Sequence, residues 1–200
     1  MSFQLFFATG NRGKFEEAKA FLEGEIAGLE LVQCKAELSE IQADSLEAVA
    51  RHKVVDAAGA CDGNVFVEDA GLFVPALNGF PGVYSAEVKK MLDCKGILKL
   101  MEEYNDFADR AAYFEACSCI YLAETGEIVA FHGRIDGVLA FEPRGTGGFG
   151  FDPIFIPAIP EGNERTFAEM DIAEKNQVSH RSRALRQLVD FLADVVSISS

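Results

Sequence analysis

A turn rich in glycine and small polar residues near the start of the chain offers the first group of side chains that could bind an anion. An apolar run precedes it and apolar residues at helical spacing follow it, so we predict a strand-to-helix turn. Backbone N–H groups at a helix start favour an anion, and cations there are disfavoured unless an anion lies beside them. We therefore predict a phosphate site, with a solvated loop as the alternative. The turn comprises Thr9, Gly10, Asn11, Arg12, Gly13 and Lys14.

Two consecutive acids, Glu68 and Asp69, follow a predicted strand over residues 64–67. Because side chains alternate along a strand, one of the two is expected to face the interior or a cleft, where a carboxylate needs a partner. Mg²⁺ is a suitable partner, since it takes one or two protein carboxylates together with phosphate oxygens and water. Glu40, in a polar loop, could supply another ligand. A simple turn or cap is the alternative.

A second group of cations lies near the carboxyl end of the chain, at Lys175, His180 and Arg181. We predict that Ser179 is the N-cap of a helix, which places His180 and Arg181 in its first turn, on the unfavourable side of the helix dipole. Two helices that begin with cations, in a chain of net charge −14, favour an anion site over a basic helix end that is merely exposed.

The loop over residues 145–150 matches the G-x-G-x-x-G pattern of dinucleotide-binding proteins. We reject that interpretation because Asp152, Pro153 and Pro157 prevent the helix that must follow directly. The first turn similarly fails as a Walker A loop, since Phe15 replaces the Ser or Thr that binds magnesium. We expect the glycines to let a flat ligand approach while Phe149 or Phe151 stacks on it. Core packing of these two rings is the alternative.

The order of elements predicts an α/β fold with a long central mixed β-sheet flanked by helices. We interpret residues 1–200 as a single domain with two lobes that share the sheet and an active-site cleft between them. The hairpin is expected over residues 113–123 and 127–141. Further strands are expected at residues 3–8, 29–34, 64–67 and 72–74, and helices after residue 14 and at 45–60, 83–91, 96–104 and 179–195.

Composition restricts the class of protein. The chain is 49% hydrophobic and 25% charged, as in ordinary soluble proteins. It has no apolar run long enough for a bilayer and no signal-peptide pattern, so we expect a cytoplasmic protein with no membrane partner. The net charge of −14 argues against nucleic acid as a partner. An odd number of cysteines without C-x-x-C spacing predicts reduced thiols rather than a disulfide or zinc site. They are Cys34, Cys61, Cys94, Cys117 and Cys119.

Five strings in order along nearly the whole chain resemble the inosine/xanthosine triphosphate pyrophosphatases. The resemblance implies an α/β fold and a homodimer. It also implies Mg²⁺-dependent hydrolysis of deaminated purine nucleoside triphosphates (ITP, dITP, XTP) to the monophosphate and pyrophosphate. The strings are Thr9-Gly10-Asn11-x-x-Lys14, Glu68-Asp69-x-Gly71-Leu72, Gly79-Phe80-Pro81-Gly82-Val83-Tyr84-Ser85, Gly147-Gly148-Phe149-Gly150-Phe151-Asp152-Pro153 and Ser179-His180-Arg181.

The resemblance also implies roles for individual residues. Asp69 would be the general base and would hold the metal with Glu40, with Glu68 as a further candidate ligand. Ala70 stands where relatives often carry Ser, so a side-chain contact to substrate is lost there. The triphosphate would be held by Thr9, Asn11 and Lys14, within the turn that also contains Gly10, Arg12 and Gly13. Phe149 and Asp152 would contact the base, and Lys175, His180 and Arg181 would complete the pocket. Gly150 and Phe151 are further candidate substrate-binding residues.

Two rival functions remain open. A related nucleotide pyrophosphatase prefers modified pyrimidines, but its Ser-rich and Arg-rich opening motif is absent here. A sensor that binds nucleotide without turnover would have little need of carboxylates beside a triphosphate.

Overall fold

The structure is a computed structural model that describes residues 3–39, 41–160 and 162–198. Short 3₁₀ turns link several of its elements. Among the described residues, no helix combines the length and apolar character that a membrane span requires. The elements are β1 (Phe3–Ala8), α1 (Arg12–Glu25), β2 (Leu29–Cys34), α2 (Leu46–Ala60), β3 (Val65–Phe73), α3 (Ser85–Leu100), β4 (Ala111–Tyr121), β5 (Ile128–Leu139), β6 (Phe155–Pro157), α4 (Ile172–Val178) and α5 (His180–Ile198).

The six strands form one sheet in the order β2-β1-β3-β4-β5-β6. Strand β1 pairs in parallel with both β2 and β3, whereas β5 and β6 are antiparallel. Strands β4 and β5 are adjacent in the sheet and joined by a short turn, as the hairpin prediction requires. The sheet is therefore mixed, and the predicted α/β fold class is confirmed.

The chain forms two compact units. The first comprises the described parts of Met1–Asp69, Ala116–Gly133 and Arg181–Ser200, and the second comprises Ala70–Glu115 and Arg134–His180. The predicted cleft between two lobes stays a prediction.

The core of the first unit forms where α1 and α5 pack on the sheet. Phe21 and Leu22 of α1 are buried with Leu188 of α5. Phe7 and Phe66, on neighbouring strands, stack with ring centroids 4.2 Å apart. Because Leu5, Phe7 and Ala8 of β1 are buried and the strand leads into α1, the turn between them is held at the end of a packed strand.

The core of the second unit surrounds Phe114 of β4, whose ring contacts Phe155 and Phe167. Helix α3 also contributes to this core, and it consists of two helical segments separated by a kink, as predicted. Its backbone is interrupted at Asp93, which has φ 56° and whose carboxylate accepts from the Cys94 N–H at 2.7 Å. This break lies between the two predicted segments.

Three features of the structure differ from the predictions or were not predicted. Glu68 and Asp69 lie inside β3 rather than at a strand end, because the strand continues through Gly71 to Phe73. Strand β6 was missed, since three residues are too short for a periodic signal. Lys175 belongs to the separate helix α4, which Asp171 and Glu174 begin with a capping box.

The prediction that all cysteines are reduced is wrong for one pair. Cys34 and Cys61 form a disulfide. Cys34 ends β2 and Cys61 is the C-cap of α2, so folding brings together two residues that lie 27 positions apart in sequence. Cysteine spacing could not indicate this contact. Cys94, Cys117 and Cys119 are buried thiols, as expected.

Candidate active site

The first turn has the capped geometry of a helix start. Asn11 is the N-cap of α1, and its side-chain oxygen accepts from the Lys14 N–H at 3.1 Å. The Asn11 N–H in turn donates to the Thr9 hydroxyl oxygen at 3.1 Å. Gly10 is exposed, and Gly13 is half-buried within the helix. The predicted strand-to-helix turn is thus present, with no acid in the first turn of α1 to neutralise its cations.

The two cations of this turn have different surroundings. The Arg12 side chain is 89% exposed and pairs with Glu16 one turn along the helix. The Lys14 ammonium points inward, where it donates to the backbone carbonyl of Glu68 at 3.1 Å and lies 3.4 Å from the Glu68 carboxylate oxygen Oε1. Lys14 is therefore the fixed cation of the turn, and Arg12 is a surface one.

Glu68 is the acid of the pair that faces the interior. Its carboxylate accepts two hydrogen bonds from the Arg181 guanidinium, at 2.7 and 2.8 Å, and the side chain is fully buried. Arg181 also donates to the buried carboxylate of Glu17. Burial alone would lower the pKa of Arg181, but the two carboxylates outweigh it and raise that pKa, so the guanidinium stays charged.

Asp69 has a different partner. Its carboxylate accepts from the ammonium of Lys53 at 3.1 Å, and its side chain is 14% exposed. Lys53 was not among the residues predicted from the sequence. A signal was available, because Lys53 lies four residues after Val49 and four before Ala57, within the buried stripe of α2. A lysine at a core-facing helical position is unusual and predicts a buried carboxylate partner.

The predicted metal ligands are only partly described. Glu40 lies outside the described residues, and within the part of the chain that the structure describes, no three His, Cys, Asp or Glu side chains are grouped to hold a metal. Asp69 nevertheless fits Mg²⁺, which needs only one or two protein carboxylates when phosphate oxygens complete its shell. Both oxygens of Glu68 already accept from Arg181.

A second cluster, within the other unit, is built on the glycine-rich loop. The Asp152 carboxylate accepts from the Lys175 ammonium at 2.6 Å and from the Phe149 N–H at 2.8 Å, and Asp152 and Lys175 are both buried. Gly148 has φ +66°, and a Cβ there would lie 2.2 Å from Asp152 Oδ2. Only glycine therefore lets the loop close over this carboxylate.

Aromatic rings pack against Lys175 and His180 of this unit. The Lys175 ammonium lies 4.8 Å from the centroid of the Phe149 ring and 5.2 Å from that of Phe167. The His180 ring, at the first residue of α5, stacks on Phe114 with centroids 4.7 Å apart. These contacts fix an ammonium and an imidazole in a largely apolar setting.

The remaining predicted residues differ in accessibility. Phe149 is half-buried, whereas Phe151 is 2% exposed and belongs to the core, in agreement with the core-packing alternative. Gly150 has φ +62°, and its carbonyl accepts from the Cys94 thiol at 3.6 Å. Ala70 is half-buried in β3, and Ser179 lies between α4 and α5.

The fold and the two clusters define an α/β protein with paired cations and carboxylates of the kind that bind and process phosphate esters. The sequence profile of the Ham1 family matches residues 5–191. The chain is 49% identical to the dITP/XTP pyrophosphatase of Thermococcus kodakarensis, over 96% of this chain and 98% of that one. It is 45% identical to the dITP/XTP pyrophosphatase of Hyperthermus butylicus, over 94% of each.

A solved structure of a HAM1 protein from Coxiella burnetii superposes with a TM-score of 0.77 at 30% identity. The match covers 97% of this chain and the whole of that one. This chain therefore belongs to the Ham1 family.

Proposed function

We propose that this protein hydrolyses deaminated purine nucleoside triphosphates, dITP, XTP and ITP, to the nucleoside monophosphate and pyrophosphate, and so removes non-standard purines from the nucleotide pool. Its similarity along nearly the whole chain to proteins named dITP/XTP pyrophosphatases carries the proposal. No observation favours the pyrimidine pyrophosphatase or the sensor.

The proposed reaction is attack of water on the α-phosphorus. Asp69 would accept the proton of the water as the new P–O bond forms, and the bond between the α-phosphorus and the bridging oxygen would break to release pyrophosphate. The Lys53 ammonium lies 3.1 Å from the Asp69 carboxylate and supports this role because it orients Asp69 as the general base. Mg²⁺, held by Asp69 together with Glu40, would neutralise charge that builds on the phosphates.

The first unit would hold the triphosphate. Thr9 and Asn11 order the turn through their own hydrogen bonds. Lys14, held by Glu68, supplies a positive charge whose position is set before substrate arrives. Preorganised charge of this kind stabilises a phosphoryl transition state without reorganisation at the moment of reaction.

The second unit would bind the base. Phe149 offers a half-buried face for stacking, and the Asp152–Lys175 pair supplies fixed polar atoms. We propose that His180, the first residue of α5, donates toward the keto oxygen at the purine 6-position. Arg181, which the sequence also suggested for this role, instead donates to Glu17 and Glu68 within the first unit. Adenine carries an amino group there, and a site built to donate would reject it because its donors would be left unpaired.

Oligomeric state and location follow the same resemblance. We propose a homodimer in the cytoplasm that binds neither nucleic acid nor membrane. The disulfide between Cys34 and Cys61 is uncommon in that reducing compartment.

Phosphorus NMR tests the function directly. The protein is incubated with Mg²⁺ and, separately, dITP, XTP, ITP, ATP, GTP and dTTP, with a parallel series in EDTA. We expect monophosphate and pyrophosphate from the first three and no product in EDTA. Orthophosphate as product, or ATP consumed as fast as dITP, would contradict the proposal. Binding of dITP without any product would favour the sensor.

A further inference from the structure

Glu17 is a buried carboxylate that the proposed reaction does not use. It lies one turn after Lys14 on α1, so the two side chains share one face of the helix. Its side chain is 4% exposed and accepts from the Arg181 guanidinium. A buried carboxylate is costly unless it is paired, and its presence on the helix that carries the phosphate-binding cation needs a reason.

Four charged side chains form a chain of contacts that begins at Glu17 and ends at Lys14, and because both lie on α1 the helix completes a ring. Glu17 accepts from Arg181, Arg181 donates through two further nitrogens to Glu68, and Glu68 contacts the Lys14 ammonium. Two positive and two negative charges make the ring neutral. Each of these side-chain contacts joins opposite charges. The position of each side chain therefore depends on the charged side chains that it contacts.

Exposure within the ring points to the member that acts on substrate. The side chains of Glu68, Arg181 and Glu17 are 0%, 1% and 4% exposed, whereas that of Lys14 is 17% exposed. Of the four side chains, that of Lys14 is therefore the most accessible to a ligand in solvent. The other three side chains are buried and can affect a ligand only through the position of Lys14.

We propose that Glu17 is a positioning residue that fixes the Lys14 ammonium for the triphosphate, acting through Arg181 and Glu68. The inference rests on the proposed function of the same site. Glu68 Oε1 is shared between Arg181 and Lys14. If Arg181 loses its bond to Glu17, the guanidinium shifts and carries this shared oxygen with it. Lys14 then loses the geometry that suits a bound phosphate.

Two substitutions at Glu17 separate position from charge. Glu17→Gln removes the charge, and Glu17→Asp keeps the charge but is one methylene too short to reach the guanidinium. We expect both to raise KM for dITP about tenfold, with kcat changed less than about threefold. Glu16→Gln, which alters the exposed acid next to it, is the matched control and should leave both constants unchanged. Melting temperatures of all three report whether the fold is intact.

A double-mutant cycle with Lys14→Met distinguishes positioning from a general structural role. If Glu17 acts through Lys14, Glu17→Gln should not raise KM further in the Lys14→Met protein. An equal tenfold rise in both backgrounds would overturn the proposal, and so would an unchanged KM in folded Glu17→Gln and Glu17→Asp proteins.

Binding of pyrophosphate in EDTA, measured by calorimetry, tests the ring without turnover. Glu17→Gln should weaken this binding in the wild-type background but not in Lys14→Met. An absence of turnover by the wild-type protein would count against the proposed function alone, because the binding cycle would still decide the role of Glu17.

Discussion

At the scale of single residues, two neighbouring carboxylates in β3 have different environments. Alternation along the strand turns Glu68 into the interior, where Arg181 binds both of its oxygens, and leaves Asp69 partly exposed beside Lys53. The Glu68 carboxylate, bound through both oxygens to Arg181, has a structural role. The Asp69 carboxylate, which is partly exposed to solvent and oriented by Lys53, is suited to accept a proton.

Replacement of Asp69 tests this division. Asp69→Asn keeps an acceptor for Lys53 but removes the base and the negative charge, so we expect kcat to fall about 10²–10⁴-fold while the melting temperature changes little. Steady-state release of pyrophosphate from dITP is the measurement. Asp136→Asn, at an exposed carboxylate paired with Arg134, should be as active as wild type. Near-normal activity of Asp69→Asn would remove Asp69 as the base.

Gly148 is a second position where one atom decides the geometry. In Gly148→Ala the new methyl group would displace the Asp152 carboxylate from Lys175 and from the Phe149 N–H. We expect the free energy of unfolding to fall by about 3 kcal/mol, from left-handed strain plus lost charged hydrogen bonds.

Urea titration measures this loss, and Gly126→Ala provides the control. Gly126 has a similar φ of +73°, but open space surrounds its Cβ position. Strain alone should cost this variant about 1 kcal/mol. Equal losses in the two variants would mean that the contact with Asp152 adds nothing.

At the scale of elements, the disulfide joins the end of β2 to the end of α2 beside the phosphate turn. The Cys34 carbonyl accepts from the Thr9 N–H at 3.2 Å, and α2 carries Lys53. The disulfide therefore links β2, which contacts Thr9 of the proposed phosphate-binding turn, to α2, which carries the Lys53 that orients Asp69. It also closes the loop that contains Glu40.

Loss of this disulfide should lower stability through the entropy of the unfolded chain. For residues 27 positions apart, loop closure contributes about 3.5 kcal/mol, so the Cys34→Ser/Cys61→Ser protein should melt roughly 7–14 °C lower. Differential scanning calorimetry with and without dithiothreitol is the measurement. The reductant should lower the melting temperature of wild type but not of the double variant. Equal melting temperatures for oxidised wild type and the variant would contradict this expectation.

At the scale of the whole molecule, each compact unit has its own core and its own cluster of paired charges. The acid and the cation of the proposed phosphate chemistry belong to the first unit, and the Asp152–Lys175 pair belongs to the second. The chain as a whole carries a net charge of −14. Local cations held by carboxylates can bind a small anion even in a molecule of this net negative charge.

Oligomeric state is tested at this scale. We expect sedimentation equilibrium to give twice the 21.7 kDa mass of one chain, because α3 exposes Met91, Leu92 and Leu100, and exposed apolar residues on one element favour association. The mass should be independent of salt if apolar contacts dominate. A mass of one chain at micromolar concentration would contradict the dimer.

The amino-acid sequence alone determined the local structure and the family. Strands β1 and β2, helix α2 and the turn from Thr9 to Lys14 depend on periodicity and capping, which act over a few residues. The resemblance to triphosphate pyrophosphatases rests on short sequence motifs and on their order along the chain, and both can be recognised without a structure.

Only the tertiary structure decided which charges meet. Glu68 and Arg181 are 113 residues apart and Glu17 and Arg181 are 164 apart, and neither pairing leaves a periodic signal. The same holds for the disulfide. The position of Lys53 in the buried stripe of α2 indicates a carboxylate partner, but it does not indicate that the partner is Asp69. These contacts form because the sheet and its packed helices bring distant side chains together in places that exclude water, where an unpaired charge would be too costly to bury.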